Sequence, residues 1–293
     1  MLLQAASWLT SVLPARAQLW LADAAAGIGW RVLPAMHARV RANVRSILPP
    51  AAPEAEVERV ARQQWRNYVR YLRDFAALPS AGRSEMDDAY DAAVGLEHVE
   101  AALAAGRGMV LASGHFGNWD YAGGALAGHY PVNVITDVFA SAPFDRLVNR
   151  YRAALQLTVI PIDKALKRTL TALRRNEILA FLIDKPLPGD AGVEVEFFGR
   201  VTRIPAGAAF FAAKSGAPIV PGFMWRGPDR RFVARVFPPI WVRSTGEIQP
   251  AMQQLVRRLE QMIAAHPEQW YMFRSMWPVA ERSAVVLGSE AVA

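Results

Sequence analysis

The sequence predicts an α/β fold with a mainly parallel central sheet flanked by helices on both faces. Three observations carry this. The first 80 residues hold only helical patterns. From about residue 95, short apolar runs alternate with helical patterns, the signature of a parallel sheet covered on both sides. A glycine-punctuated segment, Gly114-His115-Phe116-Gly117-Asn118-Trp119-Asp120, joins one such run to a helical pattern, reading as strand, tight turn and helix.

In the helical part, 2–13, 18–32 and 36–47 are separated by Pro14 and Pro34, and Pro53 opens a long helix to about 77. On that helix Arg59, Arg62, Arg66, Arg70 and Arg73 recur every three or four residues and form one stripe. Such a stripe suits either a solvated face or contact with anionic lipid headgroups. Pro79-Ser80-Ala81-Gly82 breaks the pattern. Beyond it, strands are predicted at 108–113, 132–137, 157–161, 178–184, 193–198, 218–224 and 231–237. Helices are predicted at 96–105, 118–127, 143–155, 164–175, 205–215 and 249–265. The absence of repeats or linkers favours one domain over 1–293, with a helical part at 1–80 and an α/β core at 81–293.

Composition narrows the chemistry. The chain has 293 residues, is 53% hydrophobic and carries a net charge of +7, almost wholly from arginine. Arginine forks match phosphate and carboxylate, so an anionic membrane surface or ligand fits. The arginine stripe comes without a nucleic-acid fold motif, and no nucleic-acid partner is expected. With no cysteine, disulfides, thiolate metal sites and a cysteine nucleophile are excluded. No stretch reaches the roughly 20 apolar residues of a membrane span, so the N-terminal helices are expected to lie in the membrane interface.

The turn segment carries the strongest functional signal. Open α/β folds place their sites at the carboxyl ends of strands. There His115 serves as a general base if a carboxylate holds one ring nitrogen and leaves the other free. Asp120 is the candidate acid. Five residues on one helix diverge by about 140°, but the pair meets if His115 lies in the turn and Asp120 in the first helical turn. Gly114 and Gly117 permit the sharp backbone, and Asn118 is a capping residue. Asp184-Lys185 ends another strand at the same edge of a parallel sheet, which makes Asp184 a supporting or acceptor-binding candidate. In Val193-Glu194-Val195-Glu196-Phe197-Phe198 the two carboxylates share one face. Arg203 precedes a helix start, where an anion docks readily. Trp270, Tyr271 and Trp277 read as core packing, and His37, His98, His129 and His266 as structural.

The segment H-F-G-N-W-D resembles the H-x-x-x-x-D block of glycerolipid and lipid A-type acyltransferases. Its form is nearest the branch of bacterial lipid A late acyltransferases and phosphatidylinositol mannoside acyltransferases. Three further blocks follow in order: Asp184-Lys185 with 192–199, Ile204-Pro205-Ala206-Gly207 running into 214–221, and His266-Pro267-Glu268-Gln269-Trp270-Tyr271. Many lipid A-type relatives carry an N-terminal membrane span, and this sequence departs from them.

The resemblance implies a membrane-peripheral O-acyltransferase at the cytoplasmic face of the inner membrane. It would take a fatty acyl group from acyl-CoA or acyl-carrier protein to a glycolipid or phospholipid hydroxyl, with no metal and no cofactor beyond that co-substrate. It further implies His115, Asp120 and Glu194 as catalytic residues, Glu194 helping to position His115 or the acceptor. Asn118, Asp184, Lys185 and Arg203 are the substrate-binding candidates. Two other classes stand beside it. A serine lipid esterase needs a G-x-S-x-G elbow, which the sequence lacks. A non-catalytic basic membrane binder rests on charge alone.

Overall fold

The structure is a computed structural model that describes residues 2–80, 90–162, 165–187, 191–229 and 231–277. Residues 81–82 of the predicted break and Lys164, the predicted start of one helix, lie outside them.

Four helices come first: α1 (Leu2–Val12), α2 (Ala15–Val32), α3 (Pro34–Ile47) and α4 (Glu54–Ala77). Prolines set their starts: Pro14 and Pro53 sit at the N-caps of α2 and α4, and Pro34 opens α3. α4 is the spine against which the other three pack. Val57, Val60 and Ala61 from α4, Val40 and Val44 from α3 and Trp30 from α2 make a small core of their own.

The arginine stripe of α4 is engaged within the chain. Arg59 pairs with Glu56, Arg62 with Glu58 and Arg73 with Asp74, while Arg66 and Arg70 both grip Asp23 of α2. Partial burial opposes the charge on Asp23, but the hydrogen bonds from Arg66 and Arg70 outweigh it and hold this carboxyl far below its ordinary range. Arg66 and Arg70 therefore staple α2 onto α4. Leu72 of α4 is 40% exposed.

The α/β part follows as β1 (Tyr90–Val94), α5 (Glu97–Ala104), β2 (Met109–Ser113), α6 (Trp119–Ala127), β3 (Val132–Thr136) and α7 (Ala142–Ala154). Then come β4 (Leu157–Pro161), α8 (Ala165–Arg174), β5 (Ile178–Leu182), β6 (Val193–Phe197), β7 (Arg200–Ile204) and α9 (Gly207–Ser215). β8 (Ile219–Arg226), β9 (Phe232–Val236) and α10 (Ile248–Ala265) complete it, with a 3-10 turn at Pro267–Gln269. Seven strands form one sheet in the order β1-β9-β8-β2-β5-β3-β4. All its pairings are parallel except β8–β9, which is antiparallel.

Alternation along β2 divides the core. Val110 and Ala112 face a cluster completed by α9 and α10, and Met109 and Leu111 face one completed by α5, α6 and α7. β6 and β7 form a separate hairpin packed on α10. β1 and β7 are the strands that the sequence pattern did not announce. No helix among the described residues is long and apolar enough to cross a membrane.

Candidate active site

The site forms where β2 and β5 end side by side. Their parallel register pairs Ser113 with Leu182, so the chain two residues further on brings His115 beside Asp184. His115 Nδ1 lies 2.8 Å from Asp184 Oδ1, and the His115 backbone N–H donates to Asp184 Oδ2 at 2.9 Å. A third donor, the indole N–H of Trp270, reaches the same Oδ2 at 2.9 Å. The Asp184 side chain is wholly buried, whereas that of His115 is 33% exposed.

Burial alone would push the Asp184 carboxyl up. His115 and the Trp270 and His115 hydrogen bonds outweigh it and hold the group below its ordinary value, so it is ionised. An ionised carboxylate only accepts hydrogen bonds. Nδ1 must then carry the proton in neutral His115, leaving the Nε2 lone pair free to act as a base.

The turn is clasped from two sides. Gly117 has φ +58°. Its N–H donates to Gln269 O at 2.8 Å, that of Asn118 to Met224 O at 3.3 Å, and that of Tyr271 to His115 O at 2.7 Å. Phe116 bridges Trp270 in antiparallel fashion. The segment after α10 thus acts as a short added strand that pins the loop bearing His115.

Asp120 is not the acid that holds His115. Its carboxylate accepts from the Tyr71 hydroxyl at 2.6 Å and from Arg152 Nε at 3.0 Å. The reason is geometric: Asp120 lies in the first turn of α6 and faces α4 and α7, while the imidazole turns toward the end of β5. Burial and the adjacent Asp120 raise the Tyr71 hydroxyl well above its ordinary value, so it stays a donor. Asp120 thereby ties α4 and α7 to the turn.

The other sequence candidates are distributed as follows. Asn118 is the N-cap expected: its Oδ1 accepts from Tyr121 N–H at 3.1 Å and its Nδ2 donates to Asp74 at 3.3 Å. It is buried with both ends of its amide engaged. Lys185 pairs with Asp137. Glu194 and Glu196 share the exposed face of β6 over buried Val195 and Phe197. Glu194 sits 3.5 Å from Arg203 across the hairpin and makes no described contact with His115. The structure therefore brings His115 and Asp184 together, and leaves Glu194 and Arg203 as a pair of their own. Trp270, Tyr71 and Arg152 are the partners that sequence reasoning misses. The block 266–271 stands out in the sequence, but no spacing rule connects it to His115.

A cavity of about 390 Å³ opens between α6 and strands β2, β3 and β5, with Ser113 and Trp119 in its wall, within the roughly 300–1,000 Å³ typical of ligand pockets. Leu111, Leu126, Val134, Leu157, Phe181 and Phe223 give it apolar walls. Small residues on α6 make the room: Ala122, Gly123 and Ala125 line it, and a Cβ on Gly123 would sit 3.3 Å from Leu157. Trp119, Asp120 and Arg152 supply its polar margin. The Trp119 ring, which lines the cavity, meets the His115 ring edge-on, with centroids 5.3 Å apart.

Comparison with known proteins gives this arrangement its family. The sequence model of "Bacterial lipid A biosynthesis acyltransferase" matches residues 2–278. The chain belongs to that family. It is therefore an acyltransferase. Among curated members of this group, the phosphatidylinositol mannoside acyltransferases of two Mycobacterium tuberculosis strains are each 32% identical over 248 residues, covering 82% of this chain and 76% of theirs. The Mycolicibacterium smegmatis protein of the same name is 30% identical over 245 residues, covering 82% of this chain and 79% of its own.

Proposed function

We propose that this acyltransferase moves a fatty acyl group from acyl-CoA or acyl-carrier protein onto a hydroxyl of a glycolipid resembling a phosphatidylinositol mannoside. A lipid A precursor is the alternative acceptor. The observation that carries the reading is the 2.8 Å contact between His115 Nδ1 and a buried, ionised Asp184, with Trp119, the ring packed edge-on to His115, lining an apolar cavity. The acceptor hydroxyl gives its proton to Nε2 as its oxygen attacks the thioester carbonyl. The tetrahedral adduct then expels the thiolate, which takes the proton back from the imidazolium. No covalent enzyme intermediate is needed. The names of the mycobacterial relatives favour the mannoside acceptor.

The test is transfer from radiolabelled acyl-CoA to a mannosylated phosphatidylinositol by the purified chain. His115→Ala is expected to lose about 10²- to 10⁴-fold in kcat, the usual worth of a general base. Retained activity in a folded variant would refute the assignment. Mass spectrometry of lipids from cells with and without the gene then identifies the acceptor as the lipid lacking one acyl chain.

The same reading places the chain on the cytoplasmic face of the inner membrane, attached through its N-terminal helices. The support is an outward apolar stripe on α2, where Trp20, Ile28 and Val32 are 69%, 63% and 64% exposed, with Trp8 and Val12 of α1 also outward. Arg16 and Arg31 on α2 are exposed as well. Apolar side chains with basic neighbours match an interfacial helix on anionic lipid. Replacing Trp20, Ile28 and Val32 together by serine should weaken flotation with phosphatidylglycerol vesicles by at least about tenfold. That is less than the burial of one such side chain can contribute. Unchanged flotation would count against this attachment.

A further inference from the structure

We infer that Trp270 is a positioning residue for the transfer reaction, its indole N–H fixing the Asp184 carboxylate in the rotation that hands its other oxygen to His115. This rests on the reading of His115 as the base.

Asp184 is a carboxylate stripped of water, and three hydrogen bonds replace that water. Two come from His115 itself. Trp270 supplies the third, the donor among the described contacts that does not belong to the base. The final torsion of an aspartate side chain is soft and nearly two-fold. The two oxygens of an ionised carboxylate are equivalent, so a donor fixed on one of them from outside sets the plane in which the other lies. Oδ1 is then left for Nδ1.

Trp270 is suited to the task because it cannot move. It is fully buried, its ring stands edge-on to Phe197 at 5.7 Å, and its backbone is bridged to Phe116. Packing alone does not explain the direction of its N–H. Trp277 belongs to the same cluster, 6.3 Å away, and its buried indole nitrogen has no hydrogen-bond partner among the described residues. The N–H of Trp270, by contrast, is aimed at the carboxylate.

The surroundings of Asp184 leave few rival influences. His115 is the ionisable group that touches it. Leu259 comes in from α10 on the far side of Gly114, where an added Cβ would lie 2.9 Å from Leu259 and 3.1 Å from Asp184 Oδ2. Lys185, next in sequence, is paired with Asp137.

The experiment replaces Trp270 by benzothienylalanine, which keeps the bicyclic shape and removes the N–H, with Trp270→Phe as a second variant. Thermal unfolding reports the fold. With the donor gone, Asp184 takes up a proton at higher pH and loosens its hold on Nδ1. In the benzothienylalanine variant, kcat for acyl transfer should fall about tenfold, the effect of one hydrogen bond. KM for acyl-CoA should stay unchanged, and the acid limb of the kcat profile should move to higher pH. A folded benzothienylalanine variant with wild-type kcat and pH profile would overturn the inference. His115→Ala, assayed in parallel, separates the two claims. Activity surviving in it defeats the base assignment, whereas its loss alongside a wild-type-like Trp270 variant defeats the positioning role alone.

Discussion

Asp184→Asn should reduce transfer by about 10²- to 10⁴-fold while leaving the fold intact. The argument follows from the donors around that side chain. The His115 backbone N–H and the Trp270 indole N–H both point at the Oδ2 position. An asparagine must place its amide oxygen there, because its amino group would face two donors. The amino group is then left opposite His115 Nδ1. Nδ1 must accept instead of donate, the ring proton moves to Nε2, and the lone pair that should take the alcohol proton is turned inward. Binding of the acyl donor, which depends on the cavity walls, should change little, so kcat falls and KM holds. Asp120→Asn is the matched control. It perturbs the Tyr71 and Arg152 hydrogen bonds and leaves the contact between His115 and Asp184 in place. The account therefore expects its loss to be far smaller than that of Asp184→Asn.

Gly117→Ala should be the most damaging single methyl group in the turn. At φ +58° an L side chain is already strained, and the added Cβ would stand 1.8 Å from the carbonyl oxygen of Met224 and 2.8 Å from Trp225 Cα. The obstacle is backbone, not the tip of a flexible side chain. Retreat would break the Gly117 bond to Gln269 and the Asn118 bond to Met224. Left-handed strain and overpacking together suggest a destabilisation of about 2–5 kcal/mol. Thermal unfolding checks this, with a fall of roughly 5–15 °C expected for a domain of this size. A melting temperature equal to the wild type would show that the turn is not held as described.

Much of the sheet is legible in the sequence because strands buried on both faces read as short apolar runs with glycine, proline or asparagine between them. β2 and β5 are of that kind. β1 was not legible: Tyr-Asp-Ala-Ala-Val at the sheet edge has no alternating pattern. β7 escaped because arginines occupy both ends of its Arg-Val-Thr-Arg-Ile sequence. It is a strand through its hairpin with β6, whose turn has Phe198 and Gly199 at φ +50° and +69°. The site divides in the same way. A histidine in a glycine turn after a strand can be read along the chain, and so can the N-cap at Asn118. The acid that holds the histidine cannot. Counting five residues to Asp120 follows one strand and its helix, but the contact runs across the sheet, where strand order and register place Asp184 beside His115. The sequence did mark Asp184 as ending a strand at that edge, and sheet order supplies what spacing could not.

The most direct test is the protonation of the His115 ring itself, read from long-range proton–nitrogen NMR of the ¹⁵N-histidine-labelled enzyme at alkaline pH, where the ring is neutral. The account predicts that Nδ1 carries the hydrogen and Nε2 is bare in the wild type, with the reverse in Asp184→Asn. A wild-type ring protonated at Nε2 would contradict it.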